Sequence, residues 1–327
     1  MPTIRTPRHG SMQFWPRKRA HRQYARIRSW VNSTIAQPLG FAGYKVGMTT
    51  VVYEETFKKG KVKSMEKAIP VTIVECPPLK VASIRFYKKD SYGQKVVGEI
   101  FGKTDKELAR KINFKESKKK IEDFKAEELD EVRINVYTQP KLTGIGKKKP
   151  ELFEIGLGGN VEEQLSYAKE HLGKEIDVAS VFKEGEQVDI HAITTGRGFQ
   201  GPVKRFGIGF TSHKAEKARR NPGSLGGWKA QGHFMYRIAH AGQMGYHTRT
   251  DYNKWLLKIS DKPDEINPAG GFIKYGFVKN TYILLKGSVP GPSKRIIKFT
   301  KAMRENKKVS NKAPELTYIS LISRQRR

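Results

Sequence analysis

GFAGYKVGMTTVVYEE (Gly40–Glu55) and MEKAIPVTIVECPPLKVASIRFYKK (Met65–Lys89) decide the fold class. Both are rich in β-branched and aromatic residues and broken by Gly and Pro, the pattern of strands between turns. The same pattern predicts strands in DEVRINVYTQP (Asp130–Pro140) and EGEQVDIHAITT (Glu184–Thr195). YGFVKNTYILLKGSVPG (Tyr275–Gly291) reads as a hairpin, two apolar runs around Lys279-Asn280. Helical spacing is confined to TDKELARKINFK (Thr104–Lys115) and VEEQLSYAKEHLG (Val161–Gly173). The second of these follows Asn160, a good N-cap, and stops at Gly173. The expected class is mainly β with an α/β insert.

Charge supplies the organisation. The 327 residues carry 63 Lys+Arg against 32 Asp+Glu, a formal +31. Such a chain repels itself and binds polyanions, and nucleic acid is the natural one because phosphate binding releases counterions. A membrane surface is disfavoured. No run of about 18 apolar residues occurs, and MPTIRTPRHG has no apolar stretch for a signal peptide. Hydrophobic residues are 37% of the chain, under the usual ~45–50%, so some segments must be ordered by something other than their own core. The single cysteine, Cys76, makes no internal disulfide and no Cys-based zinc site; a buried thiol in a reducing, cytosolic setting is expected.

The cations are unevenly placed. No acid occurs from Met1 to Tyr53, where Arg5, Arg8, Arg17, Lys18, Arg19, Arg22, Arg26, Arg28 and Lys45 alternate with aromatics such as Trp15 and Trp30. No helix or strand period is kept up to about Gln37, which predicts an arm extended when bound and disordered when free. Glu99–Asp189 is close to neutral, with 17 Lys+Arg and 20 Asp+Glu. Gly196–Arg249 is the reverse: eleven glycines, ten Lys+Arg, four His and one acid, Glu216. A loop of that length is normally functional or disordered, and its charge argues for function.

Several motifs invite other chemistry. Gly196-Arg197-Gly198-Phe199-Gln200-Gly201 matches G-x-G-x-x-G after a strand, but Pro202 and KRFGIGF follow with no helical pattern, so a dinucleotide site is disfavoured. Glycines that let the backbone approach RNA are the better reading. His213, His233, His240 and His247 lack metal-ligand spacing and a Cys partner. No metal and no cofactor is expected. The basic segments are nearly free of carboxylates, so a metal-dependent nuclease would lack its ligands where RNA would sit. Trp228, among glycines and without apolar neighbours, suits stacking on folded RNA rather than a core. An RNA-modifying enzyme would need a cofactor fold and nucleophilic or acidic residues in the basic regions. A DNA-compacting protein would bind random duplex as well as folded RNA; the interleaved aromatics favour RNA.

LGFAGYKVGMT (Leu39–Thr49), TTGRGFQGPVKRFG (Thr194–Gly207), NPGSLGGW (Asn221–Trp228), AHAGQMGYHTRTDYN (Ala239–Asn253) and LLKGSVPGP (Leu284–Pro292) closely resemble the universal large-subunit ribosomal protein L-three family. They stand in the family's order over most of the chain. SMQFWPRKRA resembles its archaeal and eukaryotic branch, and the short C-terminal tail and overall length are more similar to archaeal than to eukaryotic members. The resemblance implies a closed, translation-factor-like β-barrel (39–98, 185–195 and 250–300) with an α+β insert (99–184). It adds a basic N-terminal arm (1–38), a long RNA-threading loop (196–249) and a basic tail (301–327). It implies direct binding to large-subunit, 23S-type ribosomal RNA near its 3′ end, nucleation of subunit assembly, and a loop running toward the peptidyl transferase centre. Neighbouring large-subunit proteins, ribosomal protein L-fourteen among them, are the implied protein partners.

Carried onto this sequence, the RNA contacts comprise the arm cations above with Trp15, Trp30 and Lys45. In the loop they comprise Arg197, Gly198, Gln200, Lys204, Arg205, His213, Lys214, Lys217, Arg219, Arg220, Trp228, Lys229, His233 and Arg237. Gln243, Tyr246, His247 and Arg249 lie on the loop's return, and Lys294 and Arg295 complete the set. Gly226, Gly227 and Trp228 form the expected tip. Bacterial members have a glutamine and an arginine where this chain has Gly227 and Trp228, so no role tied to that glutamine carries over.

Overall fold

The computed structural model describes residues 10–56, 64–112, 121–124, 126–215, 217–226, 232 and 234–322. They fall into two compact units: a larger one, Tyr24–Ala192 with Arg249–Arg327, and a smaller one, Met1–Gln23 with Ile193–Thr248. The strands are β1 (Gly40–Thr56), β2 (Ser64–Glu75), β3 (Leu79–Asp90), β4 (Gly93–Phe101), β5 (Glu131–Tyr137), β6 (Leu152–Gly156), β7 (Glu175–Ile176), β8 (Gln187–Ile193), β9 (Phe199–Gln200), β10 (Gly242–Gln243), β11 (Thr248–Ser260), β12 (Tyr282–Lys286), β13 (Ile296–Lys301) and β14 (Leu316–Ile319). The helices are α1 (Lys106–Ala109), α2 (Val161–His171) and α3 (Pro202–Phe206).

In the larger unit one sheet runs β13-β8-β11-β12-β2-β1-β14, and β13 pairs with β1 as well. A register shift between Lys45 and Gly47 bends β1. Its first residues pair with β13, Gly40 opposite Thr300 through Tyr44 opposite Ile296, while its last pair with β14. The strands are apolar because their inner face is the core: Phe41, Tyr44, Ile73, Tyr282, Leu285 and Phe299 are buried. The Cys76 thiol is buried too, and burial pushes it well above the usual thiol range.

Two sequence expectations fail here, both for tertiary reasons. β3 and β4, grouped by sequence with the first sheet's strands, belong to a second antiparallel sheet ordered β4-β3-β5-β6, with β7 on β3. Alternation identifies a strand but not its neighbour; the break falls at Pro77-Pro78, where a proline cannot donate to a ladder. The expected hairpin around Lys279-Asn280 does not form. Tyr282–Lys286 pairs with β2 and β11, and the Lys279 and Asn280 N–H groups donate to the fully buried Glu75 carboxylate at 2.9 and 3.0 Å. Asn280 Nδ2 and the Tyr275 hydroxyl complete its four donors, so the buried charge is hydrogen-bonded rather than stranded.

The second sheet packs α2 through Leu165 and Ala168. Glu163 accepts the Asn160 N–H at 3.2 Å, and Gly173, at φ +77°, follows the helix end, as the sequence predicts. Residues alternating with the apolar ones carry Arg85 and Arg133, both neutralised by glutamates: Arg85 by Glu99 and Glu154, Arg133 by Glu131 and Glu154. The helical pattern at Thr104–Lys115 yields only α1, and Asn113–Lys115 lie outside the described residues.

Candidate nucleic-acid interface

The smaller unit unites the arm and the loop. The loop's two limbs pair at their base: Thr194 N–H donates to His247 O at 2.9 Å, Arg197 N–H to Met244 O at 2.9 Å, and Met244 N–H to Gly198 O at 2.9 Å. Next to them β9 and β10 pair Phe199 with Gln243 and Gln200 with Gly242. The return must turn sharply at Gly245, whose φ is +71°. A Cβ there would lie 2.1 Å from the Thr195 carbonyl oxygen. A Cβ at Gly198 or Gly201 meets nothing within 4 Å, so those glycines leave main chain open to approach.

Pro202 opens α3, a five-residue helix where the sequence suggested none. Proline's fixed φ suits a first helical position, and Gly207 ends the turn in the left-handed region. α3 presents Arg205 and Phe206 to the arm. The two arginines are reciprocal: Arg17 Nη1 donates to Arg205 O at 2.7 Å, and Arg205 Nη2 donates to Arg17 O at 3.3 Å. Arg205 also donates through Nε to Gln243 O at 3.0 Å and through Nη1 to His240 O at 2.9 Å. The Phe206 ring is the hub, with Arg17 at 4.3 Å, Arg205 at 5.1 Å and Trp15 at 5.8 Å. Further along, Ala20 N–H donates to Tyr246 O at 2.9 Å, His247 Nδ1 meets Lys18 O at 3.0 Å, and Arg19 lies over Tyr246 at 5.4 Å.

The logic follows from composition. With almost no carboxylate in either segment, inward guanidiniums take main-chain carbonyls as their acceptors. Burial and the nearby Arg17 both pull Arg205 down from its usual value, which carbonyl acceptors tolerate. Arg17 and Arg205, expected on sequence to bind phosphate, each donate to the other's carbonyl across arm and loop, and Arg205 also ties the loop's two limbs together.

Among the described residues of this unit, the other expected Lys, Arg and His contacts of the arm and of the loop's outgoing limb lie at the surface. Lys18, Arg19, Arg22, Arg197, Lys204, His213, Lys214, Lys217, Arg219, Arg220 and Arg237 are exposed. So are the aromatics Phe199, Phe210, Phe234 and Tyr236, none of which the sequence reading singled out; their spacing between Lys and Arg was the available signal. Gln200 and Gln243 are half-buried, and Gln243 donates to Met244 O and Gly245 O. His240 Nε2 faces Met235 O at 3.3 Å. Near the loop's end Met235 N–H donates to Leu225 O at 3.1 Å beside Gly226, φ +126°. Gly227 and Trp228 of the expected tip, Lys229 and His233 of the loop, and Arg5 and Arg8 of the arm lie outside the described residues.

The larger unit holds the rest. Arg26, Arg28 and Lys294 are exposed, and Arg249 and Arg295 half-buried. Lys45 is turned inward: its ammonium donates to Val289 O and to Gly291 O at 3.0 Å, and burial lowers its pKa. Trp30 is half-buried. It sits where Gly40 and Gly156 leave room, a Cβ at Gly156 falling 2.9 Å from its ring, and packs against the core. Among the described residues no three His, Cys, Asp or Glu side chains converge as for a metal, and no helix is long and apolar enough to cross a membrane.

Residues 1–326 match the model of a family described as Ribosomal protein L3. Named relatives match over nearly the full length. The large ribosomal subunit protein uL3 of Methanosphaera stadtmanae is 49% identical, with 98% of each chain covered. Those of Methanocaldococcus jannaschii and Archaeoglobus fulgidus are 45% and 44% identical, again over 98% of both chains.

Proposed function

The chain belongs to the ribosomal protein L3 family, and from that premise we propose that it is a structural constituent of the large ribosomal subunit that binds large-subunit ribosomal RNA directly. It acts in the ribosome, in the cytoplasm, as scaffold and not as an enzyme. One observation carries the RNA reading: the arm up to Gln23 and the loop, both nearly free of acids, fold as one unit whose inward arginines donate to its own carbonyls and whose other described Lys and Arg side chains, with several aromatics, are exposed. A surface of one sign needs an external polyanion, and exposed rings add the stacking that single-stranded and looped RNA rewards.

The finer reading has three parts. The strand ring β13-β8-β11-β12-β2-β1, joined again through β1–β13, is a closed barrel that serves as the docking body. The protein binds near the 3′ end of the 23S-type RNA and nucleates assembly, with neighbouring subunit proteins, ribosomal protein L-fourteen among them, packing alongside. The loop, with Gly226, Gly227 and Trp228 at its tip, reaches toward the peptidyl transferase centre. Filter binding of the full chain tests the RNA reading: tighter binding to large-subunit ribosomal RNA than to an equal length of unrelated structured RNA at ~0.2 M salt is expected. Equal affinity would refute it.

A further inference from the structure

Within the smaller unit, Phe210–Asn221 folds back on itself. Thr211 N–H donates to Arg219 O at 3.1 Å and its hydroxyl to Ala218 O at 3.3 Å, while Asn221 N–H donates to Ala218 O at 3.0 Å. These bonds bring the ends of the segment together. The Arg219 guanidinium carbon lies 5.6 Å from the Phe210 ring centroid and that of Arg220 5.1 Å. The ring is nevertheless 55% exposed. With Lys217 and Asn221 these side chains line an open concavity of about 560 Å³, within the ~300–1,000 Å³ range of small-ligand sites.

Two features of this turn are unfavourable in the free protein. Two guanidiniums lie over one phenyl ring, and residues 210–221 hold four Lys+Arg against one acid. A phenyl ring also stays in water, at a cost of about 25 cal/mol for each Å² left unburied. A ligand relieves both if it has an apolar planar face and an attached anion. A nucleotide has both. Its base stacks on a ring or a guanidinium plane, its phosphate takes the cations, and the Asn221 amide can reach a base edge. A paired base does not qualify, because its faces are covered by the helix stack.

The geometry points to an unpaired-nucleotide site: Phe210, Arg219 and Arg220, with Lys217 and Asn221, take one base extruded from the RNA together with its phosphate. This inference rests on the RNA-binding reading above but adds a stacking residue, Phe210, and a class of target. Elsewhere in the unit the cations suit any phosphate; here only a splayed nucleotide uses the whole constellation.

The test uses the full chain and full-length large-subunit ribosomal RNA, probed at single-nucleotide resolution for base-edge and 2′-hydroxyl reactivity at matched occupancy. The wild type should change the reactivity of an unpaired nucleotide. Phe210→Ala, and separately Arg219→Gln with Arg220→Gln, should restore that nucleotide to its free reactivity. Phe210→Ala should raise Kd by about 5- to 150-fold, the loss typical of one stacked base, while Phe210→Tyr should restore binding. Because the ring is exposed, the fold should survive its removal, and the arginine variant reads the same site by a second route. Unchanged Kd and unchanged reactivity in both variants would overturn the site while leaving ribosomal RNA binding intact, as would changes confined to duplex phosphates. Failure of the wild type to prefer ribosomal RNA would instead bring down the underlying reading, and the site with it.

Discussion

Arg205→Lys isolates the contact that joins arm to loop. Arg205 donates three side-chain hydrogen bonds to carbonyls of Gln243, His240 and Arg17. A lysine keeps the charge but concentrates its donors on one nitrogen, so it cannot span carbonyls that Arg205 reaches from Nε, Nη1 and Nη2, and the bond to Arg17 O is lost. A half-buried hydrogen bond is worth ~1 kcal/mol net, and the released carbonyls partly regain water. Only the bond to Arg17 O crosses to the arm, so its loss costs arm docking about 1 kcal/mol, which makes opening of the arm roughly 5-fold more frequent. Ala20 reports on it directly, because its N–H donates across to Tyr246 O. In native-state hydrogen exchange of the free chain, Ala20 protection should fall by about that factor. Amides of β2, such as Ile73, should keep theirs. Ala20 protection within threefold of wild type in the variant, or no protection in the wild type, would refute the arm–loop account.

Three further outcomes are expected. Replacing Lys18, Arg19 and Arg22, all exposed, by Gln should flatten the salt dependence of ribosomal RNA binding by up to ~0.9 per lost phosphate contact, whereas Arg17→Gln should act on arm protection instead; an unchanged slope would show that the arm does not engage phosphate. His191 is half-buried between the hydroxyls of Thr250 and Thr300, and its loss of solvent lowers its pKa, so the unfolded chain binds its proton first. Stability should be complete above the ordinary histidine range and fall as pH drops below ~6.5, and in denaturant titrations His191→Asn should remove that part of the slope. Trp228→Ala should leave the larger unit folded but impair late subunit assembly; an unaltered subunit profile would take Trp228 out of the interface.

What the sequence made legible follows the period of its apolar residues. β1, β2, β5, β8 and α2 stand where alternation or capping put them, because those signals are local. Strand partnership is not local, and so β3 and β4 were grouped with the wrong sheet. Nor is the fate of a buried carboxylate: Glu75 captures two N–H groups that a hairpin would have used. At the interface, composition located the arm and the loop but could not sort cations by direction. Arg17, Arg205 and Lys45 look in sequence like the arginines and lysines that face solvent, yet they serve carbonyls inside the fold. Trp30 resembles a stacking residue until Gly40 and Gly156, ten and more than a hundred residues away, make room for it. Phe206 and Phe210 share one stretch, KRFGIGF, yet one ring is buried and the other exposed, a difference that no local pattern encodes.

The most direct test of the central claim is sedimentation of a cell lysate through a sucrose gradient, with the chain followed by immunoblot. Co-migration with large subunits and polysomes, persisting through a high-salt wash, is the expected result for an integral ribosomal protein. A position at the top of the gradient, or release at modest salt, would contradict it.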